Sequence, residues 1–200
     1  MTSFIDTHCH LDKLDSTAEE AVKEAKGSVP DGLEFNKTYI YVDVGGGSTE
    51  FSILKNGKRI HCKSFKIGTV RQLNVGISDE LWQQAEKWVR EKTSEYKKIY
   101  LLGTGGNINK LHKMSSNKDN RPITYLTLNA LYSKLSKMTY EERIIKLGLN
   151  PDRSDVILPA AQLFLRTLNW SGAKVIYVPK VGLSDGMIRE LLKEKKSNHV

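Results

Sequence analysis

Three consecutive glycines, Gly45, Gly46 and Gly47, interrupt an apolar run in Asp43-Val44-Gly45-Gly46-Gly47-Ser48-Thr49-Glu50. Glycine turns tightly and leaves its N–H uncovered by any Cβ. Several such N–H groups pointing one way make a nest for an anion. Ser48 and Thr49 add hydroxyl donors at the same place. Asp43 and Glu50 flank the loop, and carboxylates beside phosphate oxygens are natural holders of Mg²⁺, directly or through water. A second loop, Gly103-Thr104-Gly105-Gly106-Asn107, leaves an apolar strand and opens a helix, where free N–H groups and the helix dipole attract phosphate. Phosphate gripping beside a divalent metal is the chemistry these loops share. The plainer alternative is a glycine hairpin with ordinary turn carboxylates. A bare triple glycine favours that alternative, whereas the flanking acids and hydroxyls favour the phosphate site.

The elements that position these loops follow from hydrophobic pattern. Residues 38–44 are aromatic and β-branched and stop at glycine, which predicts a buried strand. Residues 50–55 form a second strand, Asn56-Gly57 is a two-residue hairpin turn, and residues 58–67 return as a third. Ser78 caps a helix over 79–96 whose one face carries Leu81, Trp82, Ala85, Trp88 and Val89. Residues 99–102 are a short strand, and a helix follows over 107–114. Residues 115–123 read as a loop, 127–137 and 140–147 as two short helices, and 151–168 as one longer helix with Pro151 in its first turn. A last strand over 175–178 and a helix over 185–193 complete the chain. His61 and Cys62 are expected to pack on the third strand, and Trp82, Trp88 and Trp170 to anchor the core or an interface.

An antiparallel three-strand meander followed by alternating helices and strands is the order of a ribonuclease-H-like domain, the actin-like α/β fold. The expected architecture is a mixed five-stranded sheet flanked by helices. Residues 38–200 would form that phosphate-binding domain, and residues 1–37 a leader and helix. Actin-like phosphotransferases use two such domains facing each other, and 37 residues are too few for the second.

Composition bounds the partners. The net charge is +8 with Cys9 and Cys62 as the two cysteines among 200 residues. Basic excess suits a polyanion such as polyphosphate or a phosphorylated nucleotide, although Lys193, Lys195 and Lys196 form a solvated tail. Two scattered cysteines fit a reducing compartment, and no apolar run approaches a membrane span. The expectation is a cytoplasmic protein without membrane association. Charge alone supports nucleic-acid binding, and no recognised motif for it is present.

The motifs together resemble the exopolyphosphatase/guanosine pentaphosphate phosphatase family. Tyr41–Glu50 looks like its second phosphate motif, Gly68-Thr69-Val70-Arg71 its glycine–arginine step, Gly103–Gly106 its adenosine-type motif, and Asn150–Ala160 its later arginine–aspartate helix start. The resemblance implies Mg²⁺-dependent hydrolysis of terminal phosphates from polyphosphate or of the 5′-phosphate of guanosine pentaphosphate. Residue by residue, it implies Asp43 at the metal, Gly45, Gly46, Gly47 and Ser48 around the phosphate, and Glu50 near metal and water. It implies Arg71 as a neutraliser of phosphate charge, with a structural salt bridge the alternative. Arg153 and Asp155 are read as a capped helix start. Glu20, in Glu19-Glu20-Ala21, matches the family's water-orienting carboxylate, against an ordinary charged helix. The family's earlier aspartate–glycine–serine motif is absent, so activity of this chain alone is in question. An exposed domain face left by the missing half would favour a homodimer. The alternative function is a non-catalytic module that binds nucleotide or polyphosphate.

Residues 4–12, Phe-Ile-Asp-Thr-His-Cys-His-Leu-Asp, resemble the opening of a TatD-type metal-dependent deoxyribonuclease. Nothing downstream follows that barrel pattern. His8 and His10 are therefore read as a fused or remnant leader.

Overall fold

The computed structural model describes residues 37–179 except 57 and 116–120. Glu20, His8, His10 and the expected 185–193 helix lie outside the described residues. One six-stranded mixed sheet organises the rest, in the order β3-β2-β1-β4-β6-β5. Its strands are β1 (Thr38–Val44), β2 (Thr49–Lys55), β3 (Lys58–Phe65), β4 (Ile99–Thr104), β5 (Ile123–Thr124) and β6 (Val175–Tyr177). The helices are α1 (Thr69–Asn74), α2 (Asp79–Thr93), α3 (Gly106–Met114), α4 (Tyr125–Ser136), α5 (Tyr140–Leu147), α6 (Pro151–Ser154) and α7 (Ile157–Ser171).

The first three strands form the antiparallel meander, and β4 then pairs parallel to β1. A strand with neighbours on both edges and cover on both faces must be apolar throughout. β1 meets this with Tyr39, Ile40, Tyr41 and Val42 all buried. Alternate strand residues point to opposite faces. Ile40, Val42 and Val44 therefore join Phe51, Ile53, Leu101 and Phe164 in the helix-covered core, while Asp43 follows Tyr39 and Tyr41 on the other face. Helix α7 supplies much of that core, burying Ala160, Ala161, Leu163, Phe164 and Leu168. Aromatic packing ties α2 to the meander, with Trp88 ring centroids 6.3 Å from both Phe51 and Phe65. Trp82 lies 6.1 Å from Trp170. The tryptophans anchor the core, as expected.

Four local expectations are corrected. The sheet has six strands rather than five, because Ile123–Thr124 pairs with β6 within a segment read as loop. Two residues carry no periodicity. Helix α1 was not foreseen, since its Val70 and Leu73 face solvent and give no buried stripe. The 151–168 helix is broken into α6 and α7, with Asp155 at the α6 C-cap and no side-chain cap on α7. Cys62 is exposed on the edge strand β3 rather than packed.

Candidate functional site

The sheet register brings the candidate residues together at one end of the strands. Asp43 is opposite Glu50 across the β1–β2 ladder and beside Thr104 across the β1–β4 ladder. The triple-glycine loop closes the β1–β2 hairpin, with Gly45 N–H donating to the Ser48 carbonyl at 3.0 Å. Its remaining carbonyls turn toward α1. Thr69 N–H donates to Gly45 O, Val70 and Arg71 N–H both donate to Gly46 O, and Arg71 Nε donates to Gly47 O, each at 3.0 Å. The first turn of α1, which has no side-chain cap, is thus satisfied by the loop.

This arrangement fixes the direction of the amides. All peptide bonds among the described residues are trans, and a planar trans peptide points its C=O and N–H oppositely. The N–H groups of Gly46, Gly47 and Ser48 therefore face away from α1. None has an acceptor among the described residues, and Gly46 and Gly47 are exposed. Three uncovered donors in succession are the elements of an anion nest.

Gly68 makes the geometry possible. A Cβ at this position would sit 2.3 Å from Gly46 O and 2.4 Å from the Gly46 and Gly47 carbonyl carbons. The loop lies directly on Gly68, and any side chain would push it off. This explains the glycine before Arg71, which nest chemistry alone did not require.

The two acids differ in support. Glu50 Oε1 accepts from Ser48 Oγ at 2.6 Å and from Ser64 Oγ at 3.0 Å, while its other oxygen has no donor among the described residues. Burial, then the neighbouring Glu50 charge, push Asp43 up from its ordinary 3.8 to about 6, opposed by a hydrogen bond from Thr104. Thr104 Oγ1 also lies 3.0 Å from the Tyr41 hydroxyl. Burial pushes the Tyr41 phenol up as well, followed by the Asp43 charge. No described cation is ion-paired to Asp43 or Glu50. Two adjacent, uncompensated carboxylates with a free oxygen are a donor set that fits a hard divalent cation completed by water or phosphate oxygens. The described residues contain no group of three or more His, Cys, Asp or Glu able to enclose a metal by themselves.

The second loop splits by role. Gly105 has φ +103°, and a Cβ there would be 3.3 Å from Asp43 Oδ1, so the two loops meet at that carboxylate. Gly106 starts α3, whose N-cap Gly105 offers no side-chain bond. A Cβ at Gly106 would be 2.4 Å from Arg153 Nη1 and 2.7 Å from Nη2. A cation against the positive end of a helix is unfavourable by about 0.3–1 kcal/mol unless an anion joins them.

Some expected ligands are placed elsewhere. Thr49 is fully buried and its hydroxyl donates to the Ile67 carbonyl, so it has no donor to spare for the loop. The Ser48 hydroxyl donates to Glu50, which leaves its N–H as its contribution to the nest. A Cβ on Gly103 would meet Phe164 at 2.9 Å, so that glycine serves packing inside the core. The Thr104 hydroxyl is buried against Tyr41 and Asp43 and supports the acid rather than facing a ligand. Arg71 forms no ion pair among the described residues; its Nε holds the loop and its terminal nitrogens have no described acceptor. Arg153, read as part of a helix start, lies in α6, and its guanidinium also reaches the second loop. Its contact runs from α6 to α3 across 47 positions of sequence, beyond any local pattern.

The family model described as the Ppx/GppA phosphatase family matches residues 16–195. A crystal structure of an Aquifex aeolicus member of that family superposes with a TM-score of 0.68 at 23% identity, covering 92% of this chain and 63% of that one. An exopolyphosphatase from Cytophaga hutchinsonii gives a TM-score of 0.66 at 20% identity, covering 90% of this chain and 64% of that one. No curated protein matches the chain. These structures share the actin-like fold, and this chain spans less than two thirds of their length. With the match covering nearly its full length, the chain belongs to the Ppx/GppA phosphatase family.

Proposed function

We propose that this protein binds condensed phosphate at the Gly45–Gly47 loop and takes part in hydrolysing its phosphoanhydride bonds, with Mg²⁺ at Asp43 and Glu50. The observation that carries this reading is the orientation of the Gly46, Gly47 and Ser48 N–H groups away from α1, beside two unpaired carboxylates. Family membership and the exopolyphosphatase named among its structural neighbours support the same chemistry.

Phosphoryl transfer demands positioning and neutralisation of oxygen charge more than covalent participation by the protein. Here the loop N–H groups would take the equatorial oxygens of a terminal phosphoryl group. Arg71, fixed to Gly47 O through Nε, has its terminal nitrogens available for neighbouring oxygens. Glu50, steadied by Ser48 and Ser64, would hold a water through its free oxygen. Glu20 is proposed as the carboxylate that takes the proton of the attacking water. A bound Mg²⁺ would supply charge neutralisation and orientation of the phosphate oxygens. Inorganic polyphosphate and guanosine pentaphosphate both carry the required anhydride, and the nest reads the phosphate alone.

Orthophosphate release from long-chain polyphosphate and from guanosine pentaphosphate, with Mg²⁺ and the full chain, tests the proposal. Release that disappears in Glu20→Gln while binding persists is the expected result. Tight binding with no release by the parent chain would instead make it a phosphate-binding module. Absence of both binding and release would refute the proposal.

A further inference from the structure

Behind Asp43 lies a pair of buried hydroxyls. Tyr41 and Asp43 stand two positions apart on β1, on one face of the sheet and about 6.5 Å from each other along the strand. Thr104 stands beside Asp43 in the parallel β1–β4 ladder. Its Oγ1 lies 3.0 Å from the Tyr41 hydroxyl and also hydrogen-bonds the Asp43 carboxyl. Tyr41 and Thr104 are both buried. Each hydroxyl rotates to suit its neighbours and has one proton to give, so the proton count fixes the direction of the chain. A charged carboxylate can only accept, and its bond with Thr104 therefore uses the threonine proton. The bond between Thr104 and Tyr41 then uses the phenol proton, for which Thr104 Oγ1 is the acceptor among the described residues. The reverse direction would leave a buried phenol proton without an acceptor and Asp43 without its donor. One direction satisfies all three groups.

We propose that Tyr41 and Thr104 form a one-way relay, from phenol to hydroxyl to carboxylate, that aims Asp43 at a divalent cation. Both are positioning residues, and Tyr41 acts through Thr104 alone. The inference rests on Asp43 holding the metal, as proposed above. A metal-binding carboxylate is oriented by the hydrogen bonds it accepts from the protein behind it. Here both donors stand on central strands, whose packing holds them more rigidly than a loop would. A hydroxyl that accepts one bond donates a stronger one, which is the contribution left to Tyr41. Glu50 contrasts with this, because its donors Ser48 and Ser64 sit on the loop and on the exposed edge strand. The two acids are thus supported differently, Asp43 from within the sheet and Glu50 from its surface.

Calorimetric titration of the full chain with Mg²⁺ alone at pH 7.5 tests the relay, with a thermal melt of each protein in chelator. The variants are Tyr41→Phe, Thr104→Val, Thr104→Ser, the double variant Tyr41→Phe/Thr104→Val, and Asp43→Asn as reference. Thr104→Val should weaken magnesium binding roughly tenfold, and Thr104→Ser should restore it to within about twofold of the parent. Tyr41→Phe should weaken it by a smaller factor, roughly threefold. The double variant should bind as Thr104→Val does, because Tyr41 has no other route to the acid. Stability should move differently. Thr104→Val strands the buried phenol proton and Tyr41→Phe then removes it, so the double variant should melt above Thr104→Val at unchanged magnesium affinity. Melting temperature and affinity that fall together through the series make the pair merely structural and overturn the relay. Losses that multiply in the double variant, to roughly thirtyfold, give Tyr41 a path of its own and also overturn it. Parental affinity in Thr104→Val, with Asp43→Asn defective, overturns the relay and leaves the metal site standing. Parental magnesium binding by Asp43→Asn overturns the metal placement itself, and the relay with it.

Discussion

Replacing Asp43 with asparagine should stabilise the metal-free protein, the reverse of the usual outcome for a half-buried polar residue on a central strand. The carboxyl is held at about 6 against an ordinary 3.8, chiefly by burial and then by Glu50. A raised value means that the folded state binds the proton more tightly than the unfolded chain. Stability from this group is therefore fully present below about pH 4, falls as pH rises toward about 6, and stays low above that. At ~1.4 kcal/mol per pH unit, the difference comes to about 3 kcal/mol, less some relief from water at its partly exposed edge. Asparagine cannot ionise and keeps an oxygen to accept from Thr104. Urea unfolding with a chelator, followed by the fluorescence of Trp82, Trp88 and Trp170, measures the change. At pH 7.5 Asp43→Asn should gain about 2–3 kcal/mol over the parent, and at pH 4 almost nothing. Magnesium should erase that advantage, since a ligand at 100 times its Kd stabilises the parent by about 2.7 kcal/mol. An asparagine variant no more stable than the parent at pH 7.5 refutes the reasoning, as does an equal response of both proteins to magnesium.

Other substitutions separate the roles around the loops. Gly68→Ala places a Cβ 2.3 Å from Gly46 O, so it should cost about 1–3 kcal/mol in denaturant unfolding and weaken tripolyphosphate binding more than tenfold. Gly106→Ala meets only the movable end of Arg153; stability should change by less than about 1 kcal/mol in the same unfolding. Thr49→Val removes a buried hydrogen bond to Ile67 O and should destabilise by about 1–3 kcal/mol. Its ligand affinity, measured at a temperature where the variant is folded, should match the parent because the hydroxyl does not face the loop.

Legibility in the sequence tracked how local each cause was. The meander, the Asp43–Glu50 pairing across the hairpin and the glycine turn follow from neighbours in the chain, and each strand of the meander was found within a few residues. Helix α5 was legible to the residue because Thr139 and Glu142 form a capping box and Gly148 closes it in the left-handed region. Long-range causes were hidden. Gly68 is glycine because a loop more than twenty residues earlier rests on it, and Arg153 meets Gly106 only through the fold. Hydroxyl side chains were over-assigned for a related reason: Ser48, Thr49 and Thr104 have the right chemistry for a ligand, yet each is occupied by a protein partner that only the register reveals.

The central claim concerns particular amide protons, and ¹⁵N–¹H spectra of the full chain titrated with tripolyphosphate and magnesium observe them directly. The Gly46, Gly47 and Ser48 amide signals should shift together and saturate on one binding curve, which Gly46→Val abolishes. Saturating shifts elsewhere, with those three signals unmoved, would contradict the account.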